Sequence, residues 1–371
     1  MKACIVSKHF YPFSGGLEAR VFDFARWLSA KGDDVLIVTS SERGSSADEL
    51  VEGVRVKRSS VLVDVSNALV APGIFFDLMG GEYDFIDVNL PDPVDCAFAY
   101  AASVLRRKPL FVTYHADILR QGWVYLPFKL LYFPFERLVF KRAKMIFVTS
   151  KEYAVSSEEL KGFMERIVVA PNFVDTKKYS TAVDGSRVRK ELGLDGGKMV
   201  LFVGRLVEYK GVEYLLEAAR SLPQHTFVIA GSGSLEESLR KKAQGLSNVV
   251  FAGKVPDDML PSYYAACDVF VLPSVTRQEA FGIVLLEAMA CGKPVVSTNF
   301  SGMPYVVGDG GLLVEPRDSK ALAEAIQNVL GDDKLAKKLG GNGLKRVKEL
   351  FDRVVVCARI RETYSSALKP V

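Results

Sequence analysis

The chain has 371 residues, long for one domain and ample for two, and its 49% hydrophobic content can fill two cores. A net charge of +4 is too mild to argue for a nucleic-acid partner, and no run of eighteen apolar residues is present to span a membrane. The five cysteines (Cys4, Cys96, Cys267, Cys291, Cys357) show no C-x-x-C and no zinc spacing, which suits buried thiols in a reducing cytosol.

Short β-branched runs alternate with helical patterns along the chain, the pattern of parallel βαβ units. MKACIVSKHF reads as a first strand, Lys2–Ser7, rather than a signal peptide. The loop KHFYPFSGG and a helix over Leu17–Lys31 follow, then a strand over Asp34–Thr39. Residues 41–80 yield one strand, Val54–Arg58, and are otherwise ambiguous. Further strands are expected at Asp84–Asn89, Leu110–Tyr114, Met145–Thr149 and Ile167–Ala170. Helices are expected at Val94–Lys108, Tyr125–Ala143 and Lys151–Lys161, with two prolines kinking or splitting the second.

PNFVD and the polar run to Asp195 break the rhythm and mark a domain boundary. A second alternation starts at Met199–Val203 and ends in helices at 318–330, 333–350 and 353–368. The expected fold class is α/β, two Rossmann-like domains facing each other across a cleft. The first takes 1–172 plus 353–371 and the second 173–352. In doubly wound sheets the ligand sits outside the carboxyl ends of the strands.

Pro273–Val296 is the richest stretch for function. It runs from a strand end through Glu279 to a helix that begins near Gly282, contains Glu287 and stops at Gly292. Backbone N–H groups around Phe281, Gly282 and Ile283 suit a phosphate, and carboxylates suit sugar hydroxyls. Glu279 and Glu287 read as contacts along one ligand better than as a glycosidase pair, since one loop and one helix cannot readily bracket a bond. Alone, Glu287 reads as an exposed helix residue. Gly204-Arg205 and Lys210-Gly211 share a strand-to-helix loop and pair a planar fork with a mobile point charge, apt for a diphosphate. A solvated basic turn is the plainer alternative.

Gly15 and Gly16 lie between the first strand and first helix, where a backbone can approach a ligand; a flexible loop reads equally well. His115 follows a strand directly and would point into the crevice, unless it is a core histidine. His225 reads as solvent-facing. Gly231 and Gly233 lack the third glycine of a dinucleotide loop, and Ser234 with Glu237 reads as a capping box. The stretch 124–144 is aromatic, apolar and basic: a buried domain helix, or one lying on an anionic membrane surface.

In combination these residues resemble the retaining glycosyltransferases of family 4, with the GT-B fold. The resemblance rests on E-A-F-G-I-V-L-L-E-A-M-A-C-G-K-P-V-V, which matches the family's E-x7-E signature. G-R-L-V-E-Y-K-G, the early G-G loop, P-N-F-V-D and T-Y-H-A-D follow the same order. Asp117 departs from the pattern, because many members carry the acid or glycine directly after the histidine.

The resemblance implies that Gly15 and Gly16 pack near the donor diphosphate or on the acceptor side. His115 would touch the transferred sugar, Arg205 and Lys210 neutralise the diphosphate, Glu279 bind sugar hydroxyls and Glu287 the ribose. The final helix would cross back onto the first domain. The implied reaction moves a hexose from a nucleotide-diphosphate sugar, UDP first and GDP-mannose next, to a glycan or lipid-linked acceptor. No cofactor is expected, and with no D-x-D in the sequence no metal. The expected location is cytoplasmic, with peripheral membrane contact through 124–144. A GT-B epimerase, a glycan phosphorylase, and a peripheral membrane binding protein with a vestigial cleft are the alternatives.

Overall fold

The computed structural model describes residues 1–11, 16–41, 44–65, 68–115, 117, 126–194 and 196–369. The chain forms two compact units, Met1–Pro171 with Val356–Val371, and Asn172–Val355.

The N-terminal unit opens with β1 (Lys2–Val6), α1 (Gly16–Ala30) and β2 (Asp34–Ser41). The region that was ambiguous in sequence folds as β3 (Ala47–Val51), β4 (Val54–Ser60), β5 (Val63–Val65), β6 (Ala68–Val70) and α2 (Gly73–Gly80). Its elements are short and pair locally, β3 with β4 and β5 with β6, both antiparallel, so no long periodicity announces them. Then come β7 (Phe85–Leu90), α3 (Pro93–Leu105), β8 (Leu110–Tyr114), α4 (Leu126–Arg142), β9 (Ile146–Val148), α5 (Lys151–Ser156) and β10 (Ile167–Val169). The main sheet has the order β10-β9-β8-β7-β1-β2-β4-β3, parallel except for β3.

Some expected elements change. The prolines do not split α4. Pro127 falls in its first turn, where no N–H is needed, and Pro134 is accommodated inside the helix. α5 is shorter than expected and ends at Ser156.

The C-terminal unit carries α6 (Ser186–Glu191), β11 (Met199–Val203), α7 (Val212–Ser221), β12 (Thr226–Ala230), α8 (Glu236–Lys242), β13 (Val249–Gly253) and α9 (Leu260–Ala266). It continues with β14 (Val269–Leu272), α10 (Ile283–Ala290), β15 (Val295–Thr298), α11 (Met303–Val307), β16 (Gly311–Val314), α12 (Ser319–Gly331) and α13 (Asp333–Arg346). Its sheet is wholly parallel, in the order β13-β12-β11-β14-β15-β16. Both faces are covered, so β11, β14 and β15 are buried along their length and read as apolar runs without alternation.

The expected capping box at α8 does not form. Leu235 is the cap, without a side-chain bond. The N–H of Leu235 donates to Leu206 O at 2.9 Å and that of Glu236 to Gly233 O at 3.1 Å, a tight turn that leaves Ser234 one residue outside the cap. His225 is half-buried rather than solvent-facing, with Nε2 3.2 Å from Gln327 Oε1.

The last helix, α14 (Arg353–Leu368), packs into the N-terminal unit from Val356 onward. Tyr364 is fully buried and its hydroxyl donates to Asp87 Oδ2 at 2.5 Å. Arg361 Nε donates to Asp33 at 2.6 Å.

Candidate active site

In the C-terminal unit the strand order reverses between β11 and β14. The chain leaves β11 toward β12 and β13 on one side, then returns to build β14, β15 and β16 on the other. The loops after β11 and β14 therefore flank a topological switch point, where open α/β sheets bind ligands. Two glycines let the neighbouring loops pack. A Cβ on Gly231 would lie 1.8 Å from Gly204 O, and one on Gly211, at φ +64°, would lie 2.1 Å from Pro273 O. Gly231 thus has a packing reason to be glycine, independent of any nucleotide.

Lys210 is brought onto Glu279. Both side chains are about nine-tenths buried, and the Lys210 ammonium donates to Glu279 Oε2 in a close ion pair. The Ser274 hydroxyl donates to the same oxygen at 3.2 Å, and Ser274 O in turn accepts from Thr298 Oγ1 at 2.6 Å. Arg205 is exposed, and its guanidinium donates to the Tyr209 hydroxyl at 3.1 Å. One cation of the loop is thus neutralised by a carboxylate and the other faces solvent.

Gly282 precedes α10 at φ +76°, a left-handed conformation, and Leu272, Leu285 and Met303 would crowd any Cβ there. The turn delivers the start of α10 next to Glu279. The N–H groups of Phe281, Gly282, Ile283 and Val284 make no hydrogen bond among the described residues, so the helix start presents unsatisfied donors. Glu287, in the second turn of α10, is half-buried and accepts from the Tyr264 hydroxyl at 2.6 Å. Burial pushes its carboxyl up to about 7, against the opposing pull of Tyr264, Lys178 and Tyr179. It is a hydrogen-bonded group in a tyrosine-lined recess rather than an ordinary exposed helix residue.

In the N-terminal unit His115 directly follows β8, and its N–H donates to Leu90 O at 3.0 Å. Its Nε2 lies 2.9 Å from Asn89 Oδ1. Burial, with Arg20 nearby, holds the imidazole pKa well below its usual value. Asp117 accepts from the hydroxyls of Tyr114 at 2.9 Å and Ser157 at 2.7 Å. Gly16 is the exposed first residue of α1; Gly15 lies outside the described residues.

Of the 124–144 stretch, the described C-terminal part packs inward. Val139 and Phe140 are fully buried, and the Phe140 ring meets Tyr114 edge-on at 5.7 Å. Lys141 and Lys144 face solvent. Among the described residues no helix is long and apolar enough to cross a membrane.

Sequence reading missed Asn89, Arg20, Ser274, Tyr179 and Tyr264. Asn89 and Ser274 carried a signal in their position at strand ends. Arg20, a cation on the buried face of α1, could have been found from helix periodicity. The two tyrosines carried none.

Cations, open N–H groups and carboxylates are thus gathered around the switch point of a parallel sheet. Residues 185–346 match the family described as Glycosyl transferases group 1, and residues 14–178 match Glycosyltransferase Family 4. The O-antigen chain mannosyltransferase C of Escherichia coli is 30% identical over 361 residues, covering 95% of this chain and 94% of the relative. A GDP-mannose-dependent alpha-(1-6)-phosphatidylinositol monomannoside mannosyltransferase of Mycolicibacterium smegmatis is 36% identical over 188 residues, 47% of this chain and 49% of the relative. Among solved structures, Anabaena HepE in complex with UDP and glucose superposes with a TM-score of 0.80 at 26% identity, covering 99% of this chain and 100% of that one. The chain belongs to the family 4 glycosyltransferases of the GT-B fold.

Proposed function

We propose that this protein is a retaining glycosyltransferase that moves a hexose from a nucleotide-diphosphate sugar to a hydroxyl of a glycan or lipid-linked acceptor without a divalent metal. The C-terminal unit is the donor side and the N-terminal unit the acceptor side. The observation that carries the reading is the grouping of Arg205, the Lys210–Glu279 pair and the open N–H groups of Phe281–Val284 on two neighbouring loops.

The bond from the anomeric carbon to the phosphate oxygen breaks, and the charge that develops on the leaving diphosphate is the chief electrostatic demand of the reaction. Arg205 and the α10 N–H groups meet it directly. Lys210 turns from Glu279 to the phosphate, which frees Glu279 for the sugar hydroxyls. Glu287 holds the ribose, and His115 lies against the sugar. The acceptor oxygen bonds to the anomeric carbon on the face the phosphate leaves, and its proton passes to that phosphate, so configuration is retained.

UDP is the first choice of base, supported by the UDP and glucose named for the full-length structural neighbour. GDP-mannose is the second reading, favoured by the donor named for the mycobacterial relative. The exposed Lys141 and Lys144 at the end of α4 support a membrane-surface acceptor on the cytoplasmic side, which liposome flotation tests.

A thermal-shift screen against UDP and GDP sugars, followed by NMR of the product's anomeric configuration, tests the core reading. Arg205→Ala is expected to lower turnover at least about a hundredfold, and EDTA to leave it unchanged. Full activity of Arg205→Ala, an inverted product, or loss of activity in EDTA each overturns its part.

A further inference from the structure

Two adjacent strand ends meet at His115. β7 and β8 pair in parallel, with Asn89 opposite Thr113, and His115 extends the ladder one residue past β8. Asn89 is buried. Its Nδ2 donates to Val6 O on the neighbouring strand at 3.1 Å. A backbone carbonyl can only accept, so turning the amide over would set two oxygens face to face. The orientation of the amide is therefore fixed by β1, and Oδ1 is the atom left facing His115 Nε2 at 2.9 Å. Oδ1 can only accept in its turn, so Nε2 carries the hydrogen.

The other ring nitrogen is in a different situation. Nδ1 makes no hydrogen bond among the described residues, and the ring is only half-buried. Burial first, and then the Arg20 guanidinium of α1, disfavours a second proton on the ring. Nδ1 therefore keeps its lone pair.

We propose that Asn89 is a positioning residue that fixes His115 as the Nε2–H tautomer and so presents Nδ1 as a hydrogen-bond acceptor for a hydroxyl of the bound sugar. The second half rests on the placement of His115 against the sugar proposed above; the first half does not. The same arrangement bars His115 from acting as a proton donor through Nδ1.

The test is long-range nitrogen–proton NMR of the histidine imidazoles in the intact protein at neutral pH, with His115 assigned by its loss in His115→Ala. The expected wild-type spectrum shows a neutral ring protonated on Nε2. A ring protonated on Nδ1, or on both nitrogens, overturns the proposal even if no variant folds. Asn89→Leu removes the acceptor at similar size, so the His115 signals are expected to move to a mixture of tautomers and kcat/KM to fall about tenfold. Unchanged tautomer signals in that variant also overturn it. Asn89→Asp keeps an acceptor but adds charge beside Nε2, so activity is expected to be low at neutral pH and to recover as pH rises and the ring loses its second proton. A rate loss in Asn89→Asp that is flat with pH means a merely structural role. If the tautomer behaves as stated while His115→Ala keeps full turnover, the contact with the sugar fails and the positioning by Asn89 stands.

Discussion

Lys210 and Glu279 form a buried ion pair on two loops of the switch point, with Ser274 completing the carboxylate's partners. Removing one member of such a pair leaves an uncompensated buried charge, whereas replacing both with apolar groups of similar size is often tolerated. Lys210→Ala is expected to cost about 3 kcal/mol of stability and at least about a hundredfold in turnover. The double variant Lys210→Met with Glu279→Leu is expected to regain most of the stability and none of the turnover. Urea unfolding and donor turnover on the same preparations separate the two effects, and a double variant as unstable as the single one would refute the pairing. Glu136, buried on α4, gives a pH prediction. Burial, then repulsion from Glu159, raises its carboxyl from an ordinary 4.5 to about 8. Between these values the folded state binds more protons than the unfolded one, so this group makes stability fall as pH rises from about 4.5 to about 8. Glu136→Gln is expected to flatten that slope and to be the more stable protein above pH 8, read from urea midpoints across the range.

At the scale of elements, the site depends on how closely the strand-to-helix loops approach one another. The Gly204-Arg205 turn lies so near Gly231 that any side chain there would collide with Gly204 O, and Gly231 sits at φ +144°. Gly231→Ala is expected to cost about 1–3 kcal/mol and to raise the KM for donor by displacing Arg205, although the alanine itself need touch no ligand. Melting temperature and donor KM should change together; a changed KM with an unchanged melting temperature would mean Gly231 contacts donor directly. The start of α10 follows the same logic: Gly282 takes the left-handed turn that lets Phe281 bury while the first N–H groups stay open.

At the scale of the whole molecule, the chain's last helix belongs in part to the unit that the chain's first residues build. Cys357, Ile360 and Tyr364 of α14 are buried in the N-terminal unit, and Tyr364 donates to Asp87, which also accepts from Thr113 at 2.9 Å. Deleting residues 356–371 is therefore expected to lower the melting of the N-terminal unit and leave that of Asn172–Val355 nearly unchanged. Hydrogen exchange resolved along the sequence reads this directly: β7 and β8 should lose protection and β11 and β14 keep it. Equal loss in both units would count against the assignment of α14.

Much of the architecture was legible from residue order because its signals are local. Buried parallel strands read as apolar runs, helices as amphipathic or capped segments, and the boundary near PNFVD as a break in their alternation. The E-A-F-G run, the G-R…K-G loop and the strand-end position of His115 were also legible as local features, since turn chemistry and helix ends are written within a few residues. The short strands between 41 and 80, the intact α4 and the missing cap at α8 were not legible, because pairing and turn geometry outweighed local propensity there. Only the tertiary structure could join Lys210 to Glu279, 69 residues apart, or Asn89 to His115, 26 apart. Those partnerships depend on which strands lie side by side, and strand order is settled by burying apolar faces over the whole sheet rather than by the residues that end up in contact.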